Sequence, residues 1–303
     1  MKKLLFILNL KSGRGQIKND LPEILDMAVK AGFDVTVRTT QGRGDATSVV
    51  EKRAKEFDRI ICSGGDGTLD EVVTGLMRVK VNVPIGYIPA GSTNDFGSSL
   101  GIDNSILSAA DTAINGESIR VDVGSFNDNS FIYLAAFGVF TEASYSTNQD
   151  LKNVFGHVAY LFEGIKSLRN IPSYMMKVKY DGNVLYDEFI FGMITNSKSV
   201  GGFKNILPDD VELNDGLFEV ALIKPPKNPI ELSEIISTLR NYDRESDLIY
   251  SFTTSNIEFI SGEEIAWTLD GEFGGKTKKA KIINQHNAIE ILVESQDKNN
   301  YNN

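Results

Sequence analysis

Residues 62–71 read Cys-Ser-Gly-Gly-Asp-Gly-Thr-Leu-Asp-Glu and combine the residue types that a phosphate-binding turn needs. An apolar run precedes them and a helical pattern follows. Glycine lets backbone N–H groups approach an anion closely, because no Cβ intervenes. A helix start adds unpaired N–H donors and a partial positive charge, which suits phosphate. Thr68 and Glu71 have capping-box spacing, so the helix is expected to start at Thr68. Asp66 is the odd member. A carboxylate repels phosphate unless a cation bridges the two, so Asp66 points to Mg2+. The same stretch could equally be an ordinary strand-to-helix turn.

Two other segments carry comparable chemistry. Residues 89–96 read Pro-Ala-Gly-Ser-Thr-Asn-Asp-Phe. Helix capping needs one of Ser92, Thr93, Asn94 and Asp95, yet four such residues stand in a row. Asp270-Gly271-Glu272 follows a strand-like run, residues 265–269. In extended chain, residues two apart share a face, so Asp270 and Glu272 are expected to project together. Paired acids can deprotonate a hydroxyl and hold a metal. A β-turn with solvated acids is the plainer alternative.

Several familiar fingerprints are missing. Gly275-Lys276-Thr277 ends like a P-loop, but Asp270 stands where the first glycine belongs. Gly13-x-Gly15 and Gly42-x-Gly44 lack the third glycine of a dinucleotide fingerprint, and Thr39-Thr40 replaces the ribose-binding acid. NAD binding is disfavoured. The two histidines, His157 and His286, lie far apart and argue against a histidine triad or zinc site. His157 reads as a packed or surface residue in a helical pattern.

Composition narrows the class. The net charge is −10, which disfavours nucleic acid as a partner. Local basic clusters, near the start and at residues 276–281, could touch a membrane surface but read mainly as solvated faces or in part as nucleotide contacts. No apolar run approaches the ~18 residues that a membrane span requires. The first eight residues read as a buried strand rather than a signal peptide. The single cysteine, Cys62, excludes an internal disulfide, fits a reducing cytoplasm and reads as core.

The elements that must position these turns fall into two textures. Strand-like runs at 4–8, 33–38, 59–62 and 84–88 alternate with helical runs at 18–31, 45–56, 68–79 and 104–115. This predicts α/β architecture around a mainly parallel sheet. The glycine-rich segments 9–15, 39–45, 63–68 and 89–95 all follow strands, at the rim where such sheets bind ligands. After about residue 119, β-rich runs dominate: 119–125, 131–137, 174–180, 184–195, 217–223, 251–260, 264–269 and 288–293. They predict an antiparallel, sandwich-like β domain. Helices are expected at 149–169 and 229–241. The domains expected are 1–122, completed by residues near 288–300, and 123–287.

The ordered set Asn9-x-x-Ser12-Gly13, Gly64-Gly65-Asp66-Gly67-Thr68, Gly91-Ser92-x-Asn94-Asp95, Asn214-Asp215-Gly216 and Asp270-Gly271-Glu272 resembles the bacterial diacylglycerol kinase and related soluble lipid kinase family. That family includes sphingosine and ceramide kinases. The Gly-Gly-Asp-Gly-Thr element is shared with NAD kinases, and the late elements make the match specific to lipid kinases.

The resemblance implies a two-domain fold with ATP and lipid in the intervening cleft. It implies nucleotide contacts from Asn9, Leu10, Lys11, Ser12, Gly13, Thr40, Gly65, Asp66, Gly67, Thr68, Leu69, Asp70, Glu71 and Ser92, with Asn94 and Asp95 beside them. It implies a metal-water network at Asp66, Asp95 and Asp122. The family's proton-accepting acids match Asp270 and Glu272; the sequence does not decide which takes the proton, and Glu272 is the favoured base with Asp270 as its partner. A separate structural Mg2+ site maps onto Asp215 and the carbonyls of Glu212 and Leu217. Ser92 departs from the family's commoner threonine, and Gly97-Ser98-Ser99 replaces a region that often carries a basic residue. Apolar faces around residues 137–140 and 154–162 could line a lipid cleft, or simply be core.

The implied activity is ATP- and Mg2+-dependent phosphorylation of a lipid hydroxyl, first of all diacylglycerol to phosphatidic acid. Another lipid (phosphatidylglycerol or a sphingoid base) or NAD is the alternative substrate. A non-catalytic sensor of lipid or nucleotide would have lost its acids, and all five remain. The implied partner is a lipid at the membrane surface, met transiently by a cytoplasmic protein. A homodimer is left open.

Overall fold

The computed structural model describes residues 1–13, 15, 17–91, 94–139, 171–197, 212–240 and 246–295. The helix expected at 149–169, with His157, lies outside them, as do Ser92 and Thr93. The chain divides into two compact units. One comprises Met1–Val121 together with the chain from Asn287 onward; the other is Asp122–His286.

The first unit alternates strand and helix. Its elements are β1 (Lys2–Leu8), α1 (Ile17–Lys30), β2 (Phe33–Thr39), α2 (Asp45–Arg53), β3 (Arg59–Gly64), α3 (Asp66–Val79), β4 (Ile85–Pro89), α4 (Asp95–Ser99) and α5 (Ile106–Asn115). Leu4, Leu5, Phe6, Ile7 and Leu8 are all buried, the continuous apolar run of a strand covered on both faces. The strand order is β2-β1-β3-β4, all parallel. The end of β14 (Glu272–Val293) adds a parallel strand beside β4, with Ile291 opposite Ile85. Helices α1 and α5 pack together and against β2 and β4, while α2 packs on α3 and α3 on β3. From β1 the chain moves outward to β2, then returns past β1 to β3. The turns after β1 and β3 therefore flank the point where strand order reverses, the place where open α/β sheets bind ligands.

The second unit is antiparallel. Its strands are the later part of β5 (Glu117–Phe126), β6 (Asn129–Phe131), β7 (Leu134–Gly138), β8 (Tyr174–Tyr180), β9 (Asn183–Phe189), β10 (Phe191–Thr195), β11 (Phe218–Ile223), β12 (Ile249–Thr254), β13 (Asn256–Leu269) and most of β14. Helix α6 is Pro229–Arg240. The order β12-β11-β10-β7-β13 forms one layer. The early part of β13 instead pairs with β8, which pairs with β9. β13 changes partner across an irregularity between Ile260 and Ile265. A bend of this kind lets one strand serve two layers. Trp267 lies in the enclosed core, with ring centroids 4.8 Å from Phe137, 5.0 Å from Phe126 and 5.2 Å from Phe259. Phe137 is thus core and lines no open lipid cleft.

Several expected boundaries shift. The run 131–137 is two strands, β6 and β7, and 184–195 is broken at Ile190 into β9 and β10. The lysine-rich stretch 276–281, read as a solvated face, belongs to the 22-residue β14. Its lysines stand on exposed positions and its Ala280 and Ile282 are buried, so strand alternation persists beneath the charge.

Gly86 sits under α5, where a Cβ would lie 2.7 Å from both the Cβ and the carbonyl oxygen of Ala113. We expect Gly86→Ala to cost about 1–3 kcal/mol in urea unfolding, because neither helix backbone nor strand can yield cheaply. Gly42→Ala, where a Cβ meets open space, is expected to stay within about 0.5 kcal/mol.

Candidate active site

Three turns of the first unit pack backbone against backbone. A Cβ on Gly13 would lie 2.4 Å from the Ala90 carbonyl oxygen, and one on Gly91 would lie 2.6 Å from the Gly65 Cα. Gly13 also has φ +54°, a left-handed conformation that glycine adopts without strain. The turns are tied by hydrogen bonds. The Asn9 N–H donates to the Ser63 carbonyl at 2.8 Å, and the Ala90 N–H to the Gly64 carbonyl at 2.8 Å. The Asn9 amide donates to Thr68 Oγ1 at 3.2 Å, and its Oδ1 accepts the Lys11 N–H at 3.1 Å. Leu10, Lys11 and Ser12 complete the β1 turn, and the Ser12 N–H donates to the Asn9 carbonyl at 3.1 Å. Thr40 follows β2 and donates its N–H to the Leu8 carbonyl at 2.8 Å.

Helix α3 begins at Asp66, with Gly65 as its N-cap, not at Thr68 as the capping-box spacing suggested. Thr68 is buried inside the first turn, where a Cβ on Gly64 would collide with its hydroxyl. Glu71 caps a different helix. Its two carboxylate oxygens accept the Gly44 and Ala46 N–H groups at 2.6 and 3.0 Å, at the start of α2. Thr47 closes the contact by donating its hydroxyl to the Glu71 carbonyl at 2.8 Å. A negative charge there also complements the α2 dipole. Leu69 faces the core, so only its backbone reaches the turn. Gly67 and Asp70 lie in the first turns of α3.

Asp66 reaches the start of α4. Its oxygens accept the Asp95 N–H at 3.2 Å and the Phe96 N–H at 3.4 Å. The structure therefore brings Asp66 and Asp95 together. Asn94 adopts φ +53° and does not cap α4 through its side chain. Its amide folds back instead, with Oδ1 accepting the Gly91 N–H at 2.8 Å and Nδ2 donating to the Gly91 carbonyl at 3.2 Å. Below lies Tyr87, which the sequence did not single out. Its hydroxyl lies 3.2 Å from the Gly64 carbonyl and 3.5 Å from Asn94 Oδ1. Burial, and then the nearby Asp66, Cys62 and Asp95, push the Tyr87 phenol well above its ordinary value, so it remains a neutral donor. Burial likewise raises the Cys62 thiol, in line with a core role.

In the second unit, Asp270 and Gly271 have φ +49° and +80° and connect β13 to β14 as a two-residue hairpin turn. The expectation of an extended run with Asp270 and Glu272 on one face is incorrect. Positive φ at both turn residues is the type I′ pattern, which matches the twist of the flanking strands. Asp270 is nonetheless no solvated turn acid. It is 7% exposed, and its carboxylate accepts the N–H groups of Ile132, Tyr133 and Leu134 at 2.7, 3.0 and 2.9 Å. Burial pushes its carboxyl up to about 6, the three N–H bonds oppose that, and the Glu272 charge adds to the rise. Glu272 opens β14 opposite Leu269 and is half-buried.

Asp122, the first residue of this unit, is fully buried. Its Oδ2 accepts the Gly216 N–H at 2.7 Å, and its Oδ1 lies 3.1 Å from His286 Nδ1. Glu212, Asp215 and Leu217 occupy the adjoining turn. Asp215 Oδ1 accepts the Leu217 N–H at 2.8 Å, and the Leu217 carbonyl accepts the Asn284 amide at 3.1 Å. Among the described residues, no three His, Cys, Asp or Glu side chains form a metal-holding group. A cation at this turn would draw on Asp215 and backbone carbonyls, an all-oxygen set that suits a hard ion. Sequence reasoning assigned His286 no role, because no local pattern places it beside an acid 164 residues earlier.

Residues 3–126 match the family described as diacylglycerol kinase catalytic domain. The chain is 34% identical to the diacylglycerol kinase of Bacillus subtilis over 296 residues, covering 97% of each. It is 35% identical to the diacylglycerol kinase of Staphylococcus carnosus over 302 residues, covering 98% of this chain and 97% of that protein. A crystal structure of a candidate diacylglycerol kinase from Bacillus anthracis superposes with a TM-score of 0.83 at 27% identity, covering 97% and 95% of the two chains. No described helix is long and apolar enough to cross a membrane. Over nearly its full length, then, the chain belongs to the diacylglycerol kinase family, and it is a lipid-kinase phosphotransferase.

Proposed function

We propose that this chain transfers the γ-phosphoryl group of ATP, with Mg2+, to the hydroxyl of diacylglycerol, giving phosphatidic acid and ADP. The observation that carries the reading is the packing of the Gly13, Gly65 and Gly91 turns beside Asp66 at the strand-order reversal. Side chains are excluded there by contacts under 3 Å at Gly13 and Gly91, which leaves backbone to face a triphosphate. Carboxylates in such a place fit a nucleotide carried with a cation. Asp66 and Asp95 would hold Mg2+, which neutralises charge on the phosphates.

The acid pair divides its work. Asp270 spends both oxygens on three backbone N–H groups and holds the 132–134 turn. Glu272, two residues on at the start of β14, would accept the hydroxyl proton. As it does so, the hydroxyl oxygen bonds to the γ-phosphorus, the bond to the β–γ bridging oxygen breaks, and ADP leaves. The reading supposes a lipid met at the membrane surface through transient peripheral contact.

Radiolabelled ATP and a panel of diacylglycerol, phosphatidylglycerol, sphingosine and NAD, the lipids in mixed micelles, test the substrate. Label in phosphatidic acid is expected, and label on NAD with none on lipid would overturn the proposal. Glu272→Gln is expected to lower kcat by about 10²–10⁴-fold with an unchanged thermal midpoint. Asp66→Asn, which keeps an acceptor for α4, should mainly raise the Mg2+ concentration needed for half-maximal rate.

Asp270 gives a pH test. Its folded-state value, about 6, lies above the ordinary carboxyl value, so its stabilising contribution is complete below the unfolded value and is lost as pH rises through about 6. The stability advantage of the native chain over Asp270→Asn should therefore shrink from about pH 4 to about pH 7 in denaturant titrations. An advantage that grows over that interval would refute the buried-acid assignment.

A further inference from the structure

We propose that the outer face of the β9-β8-β13-β14 layer docks this protein on the surface of an anionic lipid bilayer. The inference deepens the peripheral-contact reading above by naming the surface. Every residue of that surface lies in the second unit. Strand register lays out the face. Lys177 of β8 stands opposite Tyr186 of β9 and Ile260 of β13, and Ile260 stands opposite Lys279 of β14. The neighbouring row is Val184, Lys179, Glu258 and Lys281. The alternate residues Met176, Val178, Ile257, Phe259, Ala280 and Ile282 are buried in the core. Side chains alternate along a strand, so both rows point away from that core.

The two rows carry four lysines and one acid, in a chain whose net charge is −10. Glu258 meets Lys179 Nζ at 2.9 Å and Lys279 Nζ at 2.8 Å, so it fixes two ammonium groups while neutralising one charge. Glu188 and the exposed Glu263 and Glu264 lie beyond the Lys177 row and bound the basic area at that end. Positive charge alone would suit any polyanion. The apolar neighbours narrow the choice. Tyr186 is 70% exposed and Val184 62%, and Met175 stands exposed on β8 beside them. A phosphate backbone offers such side chains nothing, whereas a bilayer surface takes both kinds. Ammonium groups reach lipid phosphates while aliphatic and aromatic side chains enter the interface. Beside Lys279 and Lys281 lies an open groove of about 430 Å³, lined also by Ser125, Asn127, Asp128 and Ile283. It gives an anionic headgroup room next to the two lysines. A lipid kinase, moreover, must meet a substrate that resides in such a surface.

The test is sedimentation of the full-length protein with sucrose-loaded vesicles. These are either pure phosphatidylcholine or phosphatidylcholine with about 40% phosphatidylglycerol. Native protein should bind the anionic vesicles about 10-fold or more tighter than the neutral ones, and added salt should erase the difference. Lys177→Gln with Lys281→Gln should weaken anionic binding about 10-fold or more, near 5-fold for each charge. Lys179 and Lys279 are kept because they bridge Glu258. Lys52→Gln with Lys55→Gln removes equal charge from exposed positions of the first unit and should change binding by less than about 2-fold. Val184→Ser with Tyr186→Ser should weaken anionic binding about 5-fold while keeping its salt dependence. Unchanged binding in the Lys177 and Lys281 variant, or an equal loss in the Lys52 and Lys55 variant, overturns the proposal. So does native protein that ignores both kinds of vesicle. So does a dimer that the Val184 and Tyr186 substitutions split with vesicle binding intact, since the face would then belong to a second copy. Sedimentation reads binding, not turnover. A protein that docks as expected but phosphorylates no diacylglycerol refutes the substrate reading and supports this one.

Discussion

Close backbone approach is the constraint on which the nucleotide side of this protein depends. Three turns from three parallel strands meet with glycine at each contact, and Ala90, Gly64 and Ser63 carbonyls face neighbouring backbone. Only a doubly wound sheet delivers the turns after β1, β3 and β4 to the same rim. Without a Cβ in the way, N–H groups and the start of α3 form a surface that a triphosphate can approach. The acids then follow as a consequence. Asp66 sits where a carboxylate is tolerable only with a cation or with N–H donors, and the structure supplies two donors from α4.

Buried carboxylates organise the β unit by the same logic. Removing an ionised group from water costs several kcal/mol unless donors replace the solvent. Asp270 collects three N–H groups from one turn, and Asp122 collects one from another together with an imidazole. Each acid thus fixes a loop to a strand remote in sequence. Glu71 does the equivalent in the first unit by capping α2 from α3. These acids look alike in a motif, yet each takes its N–H donors from a different segment.

Much of this was legible beforehand. Continuous apolar runs announced the buried parallel strands, and glycine-rich segments after each strand marked the rim where the turns pack together. Alternation and Asp-Gly turns announced the antiparallel half. The errors share a cause. Capping-box spacing at Thr68 and Glu71 was genuine, yet Glu71 met the exposed N–H groups of α2 across the fold. The Asp-Gly-Glu run was read with strand periodicity, whereas Asp-Gly is also the strongest short hairpin signal.

Residue type and order alone determined that glycine-rich turns and acids stand near strand ends, the residue types that phosphoryl transfer demands. Tertiary structure alone decided which acids are buried and which segments hold them. Orientation depends on partners that arrive from distant segments, such as Ile132–Leu134 for Asp270 or His286 for Asp122. No local pattern encodes a hydrogen bond spanning well over a hundred residues, since it exists only once the strands carrying both partners have packed.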